Sequence, residues 1–363
     1  MTSRVLIIGG YGNFGSLISR RLVQEENIHL IIAGRSAEKA KELATELGME
    51  WTVLDINMPI DKELERLNPD IVIHTSGPFQ GQGYEVAKAC IRHKCHYIDL
   101  ADGREFVKNI QNLDGAAKEA GVLVVSGASS VPCLTSAIID HHKADFQKLE
   151  ELDYAITTAQ RTNPGIATTA AILGYAGKPF VTVIDGRKQN IFGWQDMSAH
   201  KYPELGWRLL GNCDVPDLEL FPERYPDLKT IRFRAGLEVP LLHIGLWSLS
   251  WLTRWGVISN LRPMAGLFSK IAKIFDVFGS NRSGFHMTMK GIGADGKTKI
   301  VTVCILTNSG HGPNIPCIPS EILAMELSRG TMNKTGAMAC VDLIPLSAYL
   351  DALRAYDISW TIE

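Results

Sequence analysis

A glycine-rich turn near the start of the chain separates an apolar segment from an amphipathic one. Val5-Leu6-Ile7-Ile8 predicts a strand, and the residues after Asn13 have helical periodicity. The turn itself, Gly10-Tyr11-Gly12-Asn13-Phe14-Gly15, has the GxGxxG spacing. Its glycines allow a tight turn, close approach of backbone amides to a pyrophosphate, and close packing of the helix on the strand. Because the helix N-terminus is positively polarised, we expect a dinucleotide to bind at Gly10, Gly12, Asn13, Phe14 and Gly15.

The same spacing recurs at Gly291-Ile292-Gly293-Ala294-Asp295-Gly296, in a different context. Here Asp295-Gly296 joins two segments of alternating polarity, Phe285 to Lys290 and Lys299 to Leu306. An Asp-Gly pair between such segments is typical of a β-hairpin. We therefore predict a hairpin turn at this position, and not a second phosphate site.

The end of the second predicted strand bears on the choice between NAD and NADP. NAD-selecting sites of this type have an acidic residue there, which binds the ribose hydroxyls. Here Leu30-Ile31-Ile32-Ala33 runs into Gly34-Arg35-Ser36, with Lys39 one turn later. A guanidinium, a hydroxyl and an ammonium suit a 2′-phosphate, so we expect Arg35, Ser36 and Lys39 to favour NADP over NAD. The alternative is that Arg35 and Lys39 are solvated charges at the start of a helix over 37–47.

Two further loops follow predicted strands. Asp55 closes the third strand, Trp51 to Leu54, where its carboxylate could reach the adenine amino group. The fourth strand, Asp70 to Thr75, ends in Ser76-Gly77-Pro78-Phe79. The carboxyl ends of parallel strands border the crevice in which the ribose and nicotinamide lie. We therefore expect Ser76, Gly77, Pro78 and Phe79 to contact the cofactor; the alternative is an ordinary surface loop.

Strand-like and helical segments alternate through the first part of the chain. Strands are predicted near Val5, Leu30, Trp51, Ile71, Tyr97 and Val122, and helices near Phe14, Ala37, Lys62, Tyr84 and Asn109. This alternation predicts an α/β fold, a Rossmann-type doubly wound parallel sheet, over residues 1–130. Over residues 131–335, longer alternating segments with hairpin-like spacing indicate an α+β domain with a mostly antiparallel sheet. Residues 336–363 are a candidate segment that returns to the first domain.

Composition argues against several classes of protein. The chain has 363 residues, of which 45% are hydrophobic and 21% charged, enough for two globular domains. A formal net charge of -2 without a basic cluster argues against a nucleic-acid partner. The seven cysteines follow no disulfide framework, so we expect free thiols. Because the first strand starts at Arg4 and leaves no room for a signal peptide, a cytoplasmic location is predicted.

Four potential metal ligands lie within seven residues, Cys90, His93, Cys95 and His96. The first belongs to a predicted helix that ends at His93, whereas His96 starts a predicted strand, so the side chains should diverge. A structural zinc site also needs a second half-site, which the sequence does not supply. We predict no metal.

Residues 238–279 are the most apolar region outside the predicted sheet. Trp247, Trp251 and Trp255 recur every four residues, and a second helix is predicted from Met264 to Phe278, with Leu267, Ile271 and Phe275 on one side. His243, Arg254 and two glycines interrupt the apolar residues too often for a membrane-spanning helix. Three alternatives stay open: a core or dimer interface, a lining for a hydrophobic substrate, and an interfacial membrane helix.

The chain resembles the saccharopine dehydrogenase-like oxidoreductases, and in its later segments a less characterised bacterial branch of that family. The resemblance rests on Gly9 to Gly15, Ala33-Gly34-Arg35-Ser36, Ser76-Gly77-Pro78-Phe79, His96-Tyr97-Ile98-Asp99-Leu100 and Ser130-Val131-Pro132, in that order. It implies a Rossmann domain followed by a mixed-sheet domain, hydride transfer with a nicotinamide cofactor, and frequent homodimers.

One departure limits what the resemblance implies. Saccharopine reductases of the family have Asp-Pro-Gly at the domain junction, where this chain has Val131-Pro132-Cys133 and so lacks the carboxylate. The arginines of the second domain also form no recognisable clamp for an amino-acid substrate. Saccharopine itself is therefore disfavoured. Other family members are trans-acting enoyl reductases on lipid-linked chains, which the apolar region 238–279 would suit by analogy.

Hydride transfer also needs a proton donor close to the reacting atom. Candidates after the fifth and sixth predicted strands are Tyr97, Asp99, Ser130 and Cys133, with Asp102, Ser129, His200 and His311 as further choices. We predict an NADP-dependent oxidoreductase with an unidentified, mixed or hydrophobic small-molecule substrate that contains C=N, C=O or C=C. The alternative is a non-catalytic NADP-binding sensor or scaffold, motivated by the missing carboxylate.

Overall fold

The computed structural model describes residues 2–162 and 165–363. Its strands are β1 Ser3–Ile8, β2 Ile28–Gly34, β3 Glu50–Val53, β4 Ile71–His74, β5 His96–Asp99, β6 Leu123–Ser126, β7 Phe146–Thr157, β8 Pro179–Ile184, β9 Arg187–Phe192, β10 Ser198–Tyr202, β11 Gly206–Asn212, β12 Thr230–Gly236, β13 Ser283–Gly293, β14 Thr298–Thr307, β15 Gly336–Ala339 and β16 Ile358–Ile362.

The α-helices are separated from these strands by short loops and 3-10 turns. They are α1 Asn13–Leu22, α2 Ala37–Leu47, α3 Asp61–Leu67, α4 Glu85–Arg92, α5 Arg104–Asn109, α6 Asp114–Ala120, α7 Thr135–His142, α8 Ile166–Tyr175, α9 Asp217–Arg224, α10 Pro240–Arg254, α11 Ala265–Ile274, α12 Ile318–Arg329 and α13 Leu346–Leu353.

The first compact unit comprises the chain up to Ser136 together with Asn314–Pro345. Its sheet is parallel throughout, in the order β15-β6-β5-β4-β1-β2-β3. Val5, Leu6 and Ile7 in β1 have no exposed surface, as expected for a strand covered by helices on both faces. The predicted doubly wound parallel sheet is confirmed. Because β1 lies between β2 and β4, the strand order reverses there, and the carboxyl ends of β1 and β4 border the ligand crevice of such sheets.

The division of the chain differs from the predicted one in two places. The first unit extends to Ser136 rather than residue 130, and its returning segment is Asn314–Pro345 rather than 336–363. Within that segment β15 adds a strand beside β6, and the Gly336 amide donates to Val122 O at 2.9 Å. The last residues belong to the second unit because β16 pairs with β14, with Ile358 opposite Thr307. These pairings join residues far apart in sequence, so local sequence patterns cannot predict them.

The second compact unit comprises Ala137–Pro313 and Leu346–Glu363. Its main sheet has the order β10-β11-β12-β7-β13-β14-β16 and is antiparallel except for the β12–β7 pair. The predicted mostly antiparallel sheet is confirmed. The second GxGxxG segment is the predicted hairpin, since Gly291 pairs with Lys299 and the Gly293 amide donates to Lys297 O at 2.8 Å.

Helices α8, α10 and α11 share a small hydrophobic core in the second unit. Its buried members are Leu173, Ala176, Trp194, Leu246, Leu261 and Ala265. Of the predicted tryptophan stripe, Trp247 and Trp251 are partly buried on α10, whereas Trp255 is 68% exposed at the helix end. Across the part of the chain that the structure describes, every helix is too short or too polar to cross a membrane.

Candidate functional site

The glycine turn after β1 is closely packed against the start of α1. The amides of Gly9 and Gly10 both donate to Ala33 O, at 2.8 and 3.1 Å, and the Gly12 amide donates to Gly9 O at 2.8 Å. A Cβ atom on Gly15 would lie 2.2 Å from Gly9 O and 2.9 Å from Gly10 Cα. Only glycine at position 15 therefore allows α1 to approach the turn this closely.

The first turn of α1 is open to an anion. Gly12 is its N-cap residue, no side chain caps it among the described residues, and its first turn holds no acidic residue. The amides at the start of a helix lack intrahelical partners and form its positive end. This end of α1 therefore fits a pyrophosphate, and the predicted contacts Gly10, Gly12, Asn13, Phe14 and Gly15 lie together there.

Tyr11, inside the glycine turn, connects the turn to the end of β2. Its hydroxyl accepts a hydrogen bond of 2.8 Å from the Ser36 amide. A Cβ on Gly34 would lie 2.5 Å from the Tyr11 ring, so the ring packs directly on the strand backbone. The Ser36 hydroxyl in turn caps α2 by accepting from the Lys39 amide at 3.3 Å. Sequence reasoning missed Tyr11, although the glycine at the strand end was a signal of close approach.

Arg35 lies exposed immediately after β2, and Lys39 is exposed on α2. Within residues 2–162 and 165–363, neither side chain is engaged in an ion pair. Asp55 lies nearby after β3: its Oδ1 accepts from the Asn57 amide at 3.0 Å and from Asn57 Nδ2 at 2.8 Å. The hydrogen bonds from Asn57, and then the charge of Arg35, lower the pKa of Asp55. Arg35 and Lys39 thus supply positive charge suited to a 2′-phosphate.

The loop after β4 lies against the glycine turn. Thr75 Oγ1 donates to Ile8 O and Gly9 O, at 3.0 and 3.1 Å. A Cβ on Gly9 would lie 2.7 Å from Ser76 Oγ. Gln82 Nε2 donates to Ser76 O and Pro78 O, each at 2.9 Å, and so holds the loop closed over Gly77. The structure therefore brings Ser76, which was predicted from sequence, next to the glycine turn.

Phe79, the last predicted contact of this loop, has a buried ring. It packs edge-on to His74 at 5.1 Å between ring centroids and lies 5.3 Å from Phe106. This aromatic packing fixes the Phe79 end of the loop. The parts of the loop available to a ligand are thus Ser76, Gly77 and Pro78, which are partly exposed.

Tyr97 and Asp99, two of the predicted proton donors, are buried in β5. Asp99 Oδ1 accepts from the Ala101 amide, the Gly127 amide and Ser126 Oγ, each at 2.9 Å. Burial raises the pKa of Asp99 to about 6, against the opposing effect of these bonds. Asp99 therefore ties the loop after β5 to the end of β6.

His74, at the end of β4, is a buried polar residue that sequence reasoning missed. Its Nδ1 and the Tyr97 hydroxyl share a hydrogen bond of 3.0 Å. Burial lowers the pKa of His74 to about 4, so the ring is neutral at pH 7. Burial also raises the pKa of Tyr97. The pair is a neutral hydrogen bond inside the sheet, and no local pattern marks it because the two strands are adjacent only in the fold.

Ser130 and Cys133, the other predicted donors, are also buried, at 8% and 2% exposure. Burial and the neighbouring Cys133 thiol raise the pKa of Cys340 well above its usual value. All seven cysteines are free thiols. Cys133 thus packs beside a second thiol that the returning segment supplies.

In the second unit, His200 belongs to a polar cluster on the main sheet. Its ring stacks on His286, with centroids 3.7 Å apart, and His286 Nδ1 shares a hydrogen bond of 2.8 Å with the Tyr202 hydroxyl. Burial lowers the pKa values of both histidines, that of His286 to about 3. Both rings are therefore neutral at pH 7. His311 lies elsewhere in this unit and accepts from the Asp357 amide through Nδ1 at 2.9 Å.

The potential metal ligands near Cys90 do not converge. His93 Nε2 lies 3.3 Å from Asp61 Oδ1, and His96 Nδ1 accepts from the Leu123 amide at 2.9 Å. The Cys95 thiol donates to Cys90 O at 3.5 Å. In the described ranges, no three His, Cys, Asp or Glu side chains are grouped so as to hold a metal ion.

Comparison with known proteins agrees with this geometry. Residues 5–125 match the family model of the saccharopine dehydrogenase NADP binding domain. The match covers about a third of the chain, and it confirms the resemblance and the choice of NADP. The matched residues run from β1 through β6 and include the glycine turn, Arg35 and the loop after β4.

Curated relatives match the chain over a limited length. A trans-acting enoyl reductase of Mycobacterium leprae is 27% identical over 137 residues, 35% of this chain and 33% of the relative. A lipid droplet localized protein of Caenorhabditis elegans is 26% identical over 143 residues, 35% of this chain and 34% of the relative. The chain thus matches about a third of the length of each relative.

Solved structures match the fold of the whole chain. Saccharopine dehydrogenase (L-Glu forming) from Saccharomyces cerevisiae has a TM-score of 0.72 at 14% identity, covering 99% of both chains. An amine dehydrogenase from Mycobacterium smegmatis has a TM-score of 0.52 at 12% identity, covering 95% of this chain and 96% of the other. At these identities the likeness establishes the fold, a Rossmann-type domain combined with a mixed-sheet domain.

Proposed function

We propose that the chain is an NADP-dependent oxidoreductase that transfers a hydride between the nicotinamide and an unsaturated small molecule. The observation that carries the proposal is the cradle at Gly9 to Gly15, in which a Cβ at position 15 would lie 2.2 Å from a carbonyl oxygen while the first turn of α1 stays uncapped. Backbone amides of this turn would hold the pyrophosphate, and Arg35 with Lys39 would bind the 2′-phosphate.

Hydride transfer is the chemistry that the nicotinamide supplies when it is bound. The residues of this chain would orient the cofactor: Tyr11 holds Ser36 and so positions the backbone beside Arg35, and Gln82 closes the loop that contains Ser76 to Pro78. Such fixed positioning is the main contribution of a protein to a hydride transfer.

The proposed substrate is a hydrophobic or mixed compound with a C=C, C=N or C=O bond. The relatives named trans-acting enoyl reductases support C=C, and the likeness of the fold to amino-acid and amine dehydrogenases supports C=N. An assay with substrates of each class decides which bond is reduced. Homodimer formation and a cytoplasmic location stay predictions.

A non-catalytic NADP-binding sensor or scaffold is the second candidate, and one observation favours it. The four predicted donors after β5 and β6 (Tyr97, Asp99, Ser130 and Cys133) are all buried in the first unit. On this alternative the protein binds NADPH and reduces nothing.

The test measures cofactor binding and cofactor consumption separately. NADPH and NADH are titrated calorimetrically, and the absorbance of NADPH is then followed with 2-enoyl thioesters, with ketones and aldehydes, and with keto acids plus amines. We expect NADPH to bind more tightly than NADH and at least one class to be reduced. Binding without consumption of NADPH across all classes supports the sensor. Absence of binding by either cofactor contradicts both candidates.

A further inference from the structure

Helix α11 exposes an apolar stripe. Leu267, Ile271 and Ile274 follow one another at helical spacings of four and three residues, which places them on one side of the helix, and they are 51%, 38% and 72% exposed. The turn that follows continues the apolar surface with Val277 and Phe278, 65% and 76% exposed. Five neighbouring apolar side chains with this much exposed surface are typical of an interaction surface.

A different side of α11 holds the helix in the fold. Ala265 is buried in the core cluster of the second unit, and Phe268 packs against that cluster. The helix therefore has two apolar sides, of which the core uses one. Leu267, Ile271 and Ile274 lie outside that core cluster, so replacing them leaves the members of the cluster unchanged.

The segment before α11 also has exposed apolar side chains. Trp255 and Val257 are 68% and 69% exposed, and Met264 is 37% exposed. The ring of Trp255 lies 5.5 Å from that of Trp251, which is partly buried on α10. An indole that is anchored on one side and exposed on the other is the residue type enriched at membrane–water interfaces.

The charges on α11 favour an anionic partner. Lys270 and Lys273 are exposed on the helix. The acidic residue of the same segment, Asp276, accepts from Gln160 Nε2 at 2.9 Å. Contact between two copies through this face would bring lysines of like charge together, which is unfavourable. An anionic lipid surface would instead attract both lysines.

We propose that the exposed face of α11 and the turn after it, defined by Leu267, Ile271, Ile274 and Phe278 with Lys270 and Lys273, binds the surface of an anionic phospholipid bilayer. The apolar side chains enter the boundary between headgroups and acyl chains, and the lysines contact phosphate groups. This surface belongs to the second unit and needs no cofactor, so it goes beyond the proposed reaction and stands or fails independently of it.

Vesicle flotation of the whole chain tests the proposal, with phosphatidylcholine vesicles that contain or lack phosphatidylglycerol. We expect the wild type to float with the anionic vesicles, and less so at high salt, which screens the lysines. A triple variant on α11 should partition onto the anionic vesicles roughly tenfold or more weakly than the wild type; it combines Leu267→Ser, Ile271→Ser and Ile274→Ser. Lys270→Glu with Lys273→Glu should lose a similar factor on anionic vesicles alone.

Matched controls come from exposed residues elsewhere in the second unit. One control variant removes apolar side chains of comparable exposure from β8, β11 and β14, by Val181→Ser, Trp207→Ser and Ile300→Ser together. A second control variant reverses two exposed charges in hairpins, by Lys188→Glu and Lys297→Glu. Both controls should float like the wild type. The proposal is overturned if the wild type floats with neither vesicle, or if the α11 triple variant floats as well as the wild type. Sedimentation velocity adds a further outcome: a dimer that the triple variant abolishes, without flotation, assigns the face to a second copy and also overturns the proposal.

Discussion

Replacing Gly15 by alanine tests the glycine cradle at its closest contact. Gly15 lies in the first turn of α1, where the added Cβ would be 2.2 Å from Gly9 O, whereas Cβ atoms in proteins essentially never come within 3.0 Å of another atom. The helix and the turn must therefore separate by at least the difference, 3.0 minus 2.2, or 0.8 Å. Gly115 offers a matched control, because it lies in the first turn of α6 and a Cβ there meets nothing within 4 Å.

The two substitutions should change stability in opposite directions. Alanine in a helix is favoured over glycine by up to about 1 kcal/mol, and Gly115→Ala should gain most of this. Gly15→Ala has the same gain but also an overpacking cost of about 1–3 kcal/mol, so a net loss of up to about 2 kcal/mol is expected. For a unit of this size each kcal/mol corresponds to roughly 2–4 °C in Tm. The displaced amides should also weaken NADPH binding by roughly tenfold or more.

Thermal unfolding and calorimetric titration with NADPH measure both effects. We expect Gly15→Ala to lower Tm and NADPH affinity, and Gly115→Ala to raise Tm slightly at unchanged affinity. Wild-type NADPH affinity in Gly15→Ala would refute the reasoning, because the close contact would then have no bearing on the cofactor. Equal destabilisation by both variants would instead point to a general effect of alanine in these helices.

Two further predictions concern charge. Arg35→Ala should weaken NADPH binding by roughly tenfold or more and leave the NADH affinity unchanged in calorimetry, because NADPH alone carries the 2′-phosphate. The control is Arg66→Ala, which removes an exposed guanidinium from α3. Equal losses of affinity for both cofactors in Arg35→Ala would contradict the assignment. Burial raises the pKa of Glu321, on α12, from 4.5 to about 8, so the folded state keeps a proton that the unfolded state releases. The contribution of Glu321 to the free energy of unfolding should therefore be greatest below its unfolded pKa and fall as pH rises to about 8, and Glu321→Gln should flatten this dependence in urea unfolding at about pH 6 and about pH 9. If the free energy of unfolding changes with pH in Glu321→Gln as it does in the wild type, Glu321 is not the titrating group.

Short-range patterns predicted the parts of the site that depend on neighbours in sequence. The strand, glycine turn and helix around Gly10 to Gly15 form a continuous segment, so their roles follow from spacing and from the conformational freedom of glycine. The same holds for Asp295-Gly296, where an identical spacing between alternating segments forms a hairpin. The position of Arg35 could also be predicted, because it comes directly after the last residue of β2.

Burial could not be predicted in the same way. Tyr97 lies within β5 and Asp99 ends it, close to the sheet edge where catalytic groups often lie, yet both are buried. Tyr97 packs against His74, and Asp99 against the end of β6. Cys133 lies beside Cys340, more than two hundred residues later in the chain. In each case the deciding partner comes from another strand or from the returning segment.

The amino-acid sequence alone determined the local units of this protein: the alternating strands and helices of the first unit, the glycine turn before α1, and the antiparallel character of the second sheet. Tertiary structure alone decided which strand borders β6, which candidate donors are withdrawn from solvent, and which side of α11 is left exposed. The physical reason is that backbone conformation and periodicity are set by adjacent residues, whereas burial and hydrogen-bond partners depend on contacts between segments that are distant along the chain.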